Sequence, residues 1–411
     1  MEKREYRLLL SQRQFIKLLM ADIISRFGDS LDSIAYAWIM YEITGSEALM
    51  AFILGLNYVP TVLLQPITGA LVDRMPKKKI MVITDGIRGV IVSTIVFLYM
   101  CNCLSPMVLG IMTLLTSTVE AFRIPAGSSI VPKLLQSEYY KIGKAANYSF
   151  ARTAELVGFI CAGGMISMIG TQGVLWIDAL TFIISAIIIA TIKYQEEWKK
   201  IEKKRPNVWK DLNEGLAFVK KERAVQMVGL IGLLINFGIM PLSVFQTPYV
   251  SDYIQMGPEI LSYIKILMSV GMITGATIVP KIKRISHKTL VTIAGCEMGV
   301  TLILMFMAPQ MEIIFLKMSV VTVSMFCIGA GGGILNVIVG NCMMKNVPQD
   351  MMGRVSGLIA ATMQASMPIA SFLCSGLATC ITLLQIFLVF GIFTIFIYVV
   401  LCYTKQLEYL N

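Results

Sequence analysis

The sequence predicts an all-α membrane protein of twelve transmembrane helices in two pseudo-symmetric six-helix bundles, and three observations carry that prediction. First, the 411 residues are 56% hydrophobic and 15% charged, with a mean hydropathy of +0.74, where a soluble domain carries about 25% charge. Second, the 50 residues from 355 to 404 contain no Asp, Glu, Lys or Arg. As helix they would run about 75 Å, enough to cross a hydrocarbon core of about 30 Å twice. Third, the chain echoes itself at half its length. Gly69-Ala70 opens GALVDRMPKKKI and Gly275-Ala276 opens GATIVPKIKRI, while Ile142-Gly143-Lys144-Ala145 is answered by Met352-Gly353-Arg354-Val355. Duplication of an even-numbered unit leaves both halves in the same orientation. A soluble enzyme, a secreted disulfide scaffold and a disordered chain are excluded. So is an outer-membrane barrel, whose strands need only about 10 residues each.

In chain order the predicted crossings are 17–44, 47–72, 79–103, 106–132, 145–170 and 173–193, then 224–250, 259–281, 288–308, 311–344, 354–379 and 382–404. The first six form an N-terminal bundle, 1–193, and the last six a C-terminal bundle, 224–411. Between them the segment 194–223 is too charged for lipid and holds Pro206, and its Trp198, Trp209 and Phe218 suit an amphipathic stretch lying on the membrane surface. Residues 1–16 are charged and polar, unlike a cleavable signal peptide.

The net charge of +10 takes its meaning from where the bases lie. With the N-terminus inside, the inside segments hold 29 of the 35 Lys and Arg and the outside connections hold none. The outer side carries acids alone, Glu42, Glu47, Asp252, Glu259 and Glu312. The positive-inside rule therefore puts both termini in the cytosol. The basic excess is an orientation and anionic-lipid signal, and no nucleic-acid partner is expected.

Cofactor chemistry finds little support. Nine cysteines are scattered without a CxxC pair, and His287 is the single histidine, so neither a metal site nor a Ser-His-Asp arrangement is expected. No GxxxxGK[ST] phosphate loop is present, so no nucleotide is expected and no catalytic residue is assigned.

Ionisable residues inside the spans carry the functional reading, because each costs about 3 kcal/mol or more at the bilayer centre unless paired or watered. On helix 1, Asp22, Arg26, Asp29 and Asp32 form one stripe. Asp85 with Arg88, Glu120 with Arg123 and Arg152 with Glu155 are each spaced i, i+3 and able to close as local pairs. Asp178 and Lys265 are placed toward the outer end, and Glu297 is isolated. Gly329, Gly331, Gly332 and Gly333 crowd one helix, where small residues permit close approach or bending.

The run Gly69-Ala70-Leu71-Val72-Asp73-Arg74-Met75-Pro76-Lys77-Lys78-Lys79 resembles the loop between helices 2 and 3 of the major facilitator superfamily, with Pro76 where Gly is usual. Trp38, Tyr41 to Ser46, Val59-Pro60, Asp85, Arg88, Pro125-Ala126, Pro132, Ala146-Asn147, Phe245 to Pro248 and Gly353-Arg354 resemble its macrolide-efflux-like branch. Gly158, Gly163 and Gly164 resemble the glycine-rich stretch of exporters, with Phe159 where Pro is common.

The resemblance implies the major facilitator fold, with helices 1, 4, 7 and 10 lining a central cavity. Asp29, Asp32 and Glu120 would meet there as proton-coupling groups, offset by Arg26 and Arg123. Asn236, Phe237, Phe245, Gln246, Lys317, Met325, Phe326 and Asn336 would supply cavity wall, a mixture suited to an amphiphile. Gly69, Asp73, Arg74, Lys77 and Lys78 would form a cytosolic gating loop in which Asp73 accepts N–H groups at a helix N-terminus and the bases face headgroups. The same bases also serve topology alone. The expected function is proton-coupled efflux of amphipathic small molecules by a monomer among membrane lipids in a bacterial plasma membrane. The alternatives are a lysophospholipid flippase and a non-transporting membrane sensor.

Overall fold

The computed structural model describes residues 12–72, 75–135, 139–193, 208–282, 285–348, 351–404 and 407. Among them the regular structure is helical throughout: α1 (Arg13–Thr44), α2 (Glu47–Val72), α3 (Lys77–Met100), α4 (Pro106–Leu134), α5 (Tyr140–Ala190), α6 (Val208–Lys221), α7 (Arg223–Pro248), α8 (Glu259–Ile278), α9 (His287–Met307), α10 (Ile314–Asn346), α11 (Met352–Leu377) and α12 (Leu383–Tyr403). Local chemistry starts several of them. Ser105 caps α4 ahead of Pro106, Ser286 caps α9, and Thr382 with Gln385 forms a capping box on α12.

Among the described residues, ten stretches are long and apolar enough to cross a membrane. One of them, Ile142–Ala190, holds 49 residues, about twice one span. It turns at Gly170 (φ 73, ψ 167), a backbone conformation open to glycine, so α5 makes two passes, α5a before the turn and α5b after it. α1 is missing from the ten because Asp22, Arg26, Asp29 and Asp32 interrupt it, although its 32 residues reach about 48 Å. With α5 counted as two passes and α1 added, the chain makes twelve crossings. α6, at 14 residues, is too short to span.

Contacts within the chain define two compact units, residues 1–44 with 59–205 and residues 45–58 with 206–411. In the first unit α5 packs against α1 and α3, and α3 against α4. The core there gathers Phe15, Leu18, Ala21, Met81, Ala126, Ile130 and Ile189. Thr68 Oγ1 on α2 donates to the Ala121 carbonyl of α4 at 2.8 Å.

In the second unit α7 packs on α11, α9 on α12 and α8 on α10. Two of these pairings answer the first unit, with α7 on α11 and α9 on α12 matching α1 and α3 on α5. The start of α2 joins α11 here: Ser371 and Ser375 donate to the Ala51 and Ala48 carbonyls, each at 2.7 Å.

Glycine sets the closest approach in the second unit. A Cβ on Gly271 or Gly275 of α8 would overlap the carbonyl of Phe326 or Ala330, and one on Gly329 or Gly333 of α10 would overlap that of Met268 or Met272. The i, i+4 pairs on both helices let the backbones touch. Gly331 instead faces Glu297, and Gly332 faces open space. Helix α6 is tied to α11 by Glu214 and Arg354 at 2.7 Å, and Gln226 Nε2 of α7 caps its Val219 and Lys220 carbonyls at 2.9 and 2.7 Å.

Candidate functional site: a buried charge network

Helical periodicity gathers Asp22, Arg26, Asp29 and Asp32 on one side of α1, where two charge chains form; Arg26 is exposed and, among the described residues, reaches only Asp29 of its own helix. In one, Arg123 of α4 donates through Nε to Asp85 at 2.7 Å and through Nη2 to Asp22 at 3.1 Å. Ser185 Oγ donates to the second oxygen of Asp85 at 2.8 Å, and Asn147 Nδ2 to the second oxygen of Asp22 at 3.2 Å. Asp85 is fully buried. In the other chain, Arg88 Nη2 donates to Asp29 at 2.8 Å, Arg26 lies 3.6 Å from the second Asp29 oxygen, and the Arg88 guanidinium stacks 4.0 Å above the Phe182 ring.

The expected local pairing of Asp85 with Arg88 and of Glu120 with Arg123 is not what forms. Residues three apart on a helix share a face but can diverge when neighbouring helices supply partners. Arg88 reaches α1, while Asp85 reaches α4 and α5. The third expected pair does close, Arg152 to Glu155 at 2.7 Å, on the half-exposed part of α5.

Asp32 and Glu120 receive no hydrogen bond or ion pair from the described residues, although they face one another electrostatically, as both also face Arg88. The network as a whole opposes six carboxylates (Asp22, Asp29, Asp32, Asp85, Glu120, Asp178) to three guanidiniums (Arg26, Arg88, Arg123). On the other face of α1, away from the acid stripe, Ile23, Ile24, Phe27, Phe150, Thr153, Ala154 and Val157 line an apolar groove of about 340 Å³ between α1 and α5.

Placed by the structure, the remaining sequence candidates scatter. Asn236 Nδ2 donates to the Met363 carbonyl of α11 at 2.8 Å, and Phe237 stacks on Phe390 at 5.4 Å. Phe245, Gln246 and Met325 are buried, Lys317 and Phe326 half-buried, and Asn336 is exposed on α10. Of the loop candidates, Asp73 and Arg74 lie outside the described residues. Gly69 falls in the last turns of α2, Lys77 is buried at the start of α3, and Lys78 is half-buried beside it.

Three members of the network were beyond sequence reasoning as site residues. Ser185 carries no signal in an apolar helix, and Asn147 had only its place in a resembled motif. Asp178, which the sequence places toward the outer end of α5b, is fully buried beside Gly28 of α1. The signal that could have found it is its lack of a basic residue within four positions. Among the described residues no group of three or more His, Cys, Asp or Glu is placed to hold a metal ion.

Comparison with known proteins adds to this geometry. A sequence model described as Major Facilitator Superfamily matches residues 18–371. Macrolide efflux protein A of Streptococcus pyogenes is 23% identical over 367 residues, covering 88% of each chain. The multidrug efflux pump Tap of Mycobacterium tuberculosis is 21% identical over 364 residues, covering 87% of this chain and 85% of that one. Among solved structures, the nucleoside transporter NupG superposes with a TM-score of 0.71 at 15% identity, covering 95% of this chain and 100% of that one.

Proposed function

Since the chain belongs to the major facilitator superfamily and is a multi-pass membrane transporter, we propose that it is a proton-driven exporter of amphipathic, often cationic, small molecules of the macrolide kind. The observation that carries this reading is the pair Asp32 and Glu120, two carboxylates without a hydrogen-bonding partner among the described residues, in a network with twice as many acids as guanidiniums. Unneutralised charge inside a bilayer is costly. Protons and a cationic substrate are two ways of meeting the same excess, and competition between them couples the loss of one to the binding of the other. The efflux relatives support an amphiphile as cargo.

In this reading the chain forms two bundles, 1–193 and 224–411, with 194–223 as the cytosolic link. Both termini face the cytosol, the protein works as a monomer in the plasma membrane, and 69–79 serves as the cytosolic gating loop. Inside-out vesicles containing the protein should accumulate erythromycin when an acid-inside gradient is imposed and lose the accumulation when the gradient is collapsed. Equal uptake with and without the gradient would refute proton coupling.

A further inference from the structure

Where α1, α3 and α5b meet, two buried atoms among the described residues lack any hydrogen-bond partner: the donor Arg88 Nε and the acceptor Asp178 Oδ2. Asp178 is 0% exposed, and its other oxygen has only Thr181 Oγ1, at 3.4 Å. A Cβ on Gly28 would lie 2.5 Å from that oxygen, so glycine there is what lets Asp178 sit against α1 one residue from Asp29. On the α3 side, a Cβ on Gly89 would lie 3.3 Å from the Ala179 carbonyl, which brings Arg88 to the same level. The charged groups facing Asp178 are Asp32 and Asp29 from α1 and Arg88 from α3. Among the described residues Arg88 is the one guanidinium that faces all three carboxylates, and it binds Asp29 at 2.8 Å, while Arg26 lies 3.6 Å from the other Asp29 oxygen.

We propose that Arg88 is a two-position switch between Asp29 and Asp178, and that the carboxylate it leaves carries the proton. With Arg88 on Asp29, as observed, Asp178 is the neutral acid. When Arg88 moves to Asp178, that carboxyl gives one proton to water and Asp29 takes one from water, so the charge of the junction is unchanged. With Asp29 loading and unloading on one side of the membrane, and Asp178 releasing its proton to the cytosol and reloading from the exterior, each cycle moves one proton inward. The Phe182 ring beneath the guanidinium, one turn from Asp178, is a flat support that holds the cation in either position. The inference gives the proton-coupled reading its moving part, and it names Asp178 as the proton carrier that reading did not include.

The test uses the full chain in lipid and needs no substrate. Infrared spectra at neutral pH of the parent minus those of Asp178→Asn should contain the carbonyl stretch of a protonated carboxyl. The same subtraction in an Asp29→Asn background should contain none, because Arg88 then settles on Asp178 and ionises it. Asp29→Ser serves if Asp29→Asn yields no folded protein. A component present in both backgrounds would make Asp178 a fixed neutral group, and absence from the parent would make it a permanent anion. Either result overturns the switch. Loss of gradient-driven uptake in the parent would instead strike at proton coupling itself, so the two failures are distinguishable.

Discussion

Replacing Arg123 by Met keeps most of the side-chain volume and removes the cation that two carboxylates share. Asp22 keeps its contact with Asn147 and is 19% exposed at the side chain, so its loss is small. Asp85 is 0% exposed and would keep only Ser185 Oγ at 2.8 Å. Stripping one partner from a buried ion pair costs about 3–5 kcal/mol, because the remaining charge has neither water nor a counter-ion. With Ser185 retained, the lower end of that range applies, and at about 1.4 kcal/mol per factor of ten this is roughly a hundredfold in the unfolding equilibrium. Arg123→Met/Asp85→Asn removes the orphaned charge as well, so at least half of the loss should return. Equilibrium unfolding of purified protein in mixed micelles, with increasing SDS and helix content followed by circular dichroism, measures all four corners of the cycle. A double variant as unstable as Arg123→Met would refute the assignment of Asp85 as the charge that Arg123 neutralises.

Three further outcomes follow from the same structure and sequence. A reporter inserted near Lys200 or fused after Lys405 should report cytosol and one near Met256 the exterior, as judged by paired cytosolic and exterior reporters; an exterior signal at Lys200 would overturn the two-bundle orientation. Gly275→Val and Gly329→Val should each cost about 1–3 kcal/mol or more by overpacking the α8 and α10 contact, whereas Gly332→Ala, facing open space, should leave melting in detergent within about 1 °C of the parent. Asp73→Asn should lower erythromycin export at normal expression in the membrane; unchanged flux would leave 69–79 a topology signal alone.

The fold was readable because it rests on quantities additive along the chain. Apolar length marks a span whatever it packs against, and the half-length echoes at Gly69 and Gly275 are visible by comparing the sequence with itself. The charge stripe on α1 was readable for the same reason, since Asp22, Arg26, Asp29 and Asp32 recur with the helical period. Pairing was not. An i, i+3 rule sees one helix at a time, while Arg88 and Arg123 chose partners 59 and 38 residues away along the chain. The register between helices decides that, and close packing at Gly28 and Gly89 sets the register. The glycines of α10 show the same division: their density was visible, but only packing separates Gly329 and Gly333, which touch α8, from Gly332, which touches nothing within 4 Å.

The central claim is that acids on α1 and α4 couple proton movement to export, and Asp32 tests it most directly because no basic side chain among the described residues pairs with it. In proteoliposomes, Asp32→Asn should keep part of the parent's erythromycin counterflow, which needs no gradient, while losing accumulation driven by an imposed pH gradient. Gradient-driven accumulation equal to the parent's in Asp32→Asn, Asp29→Asn and Glu120→Gln alike would contradict the claim.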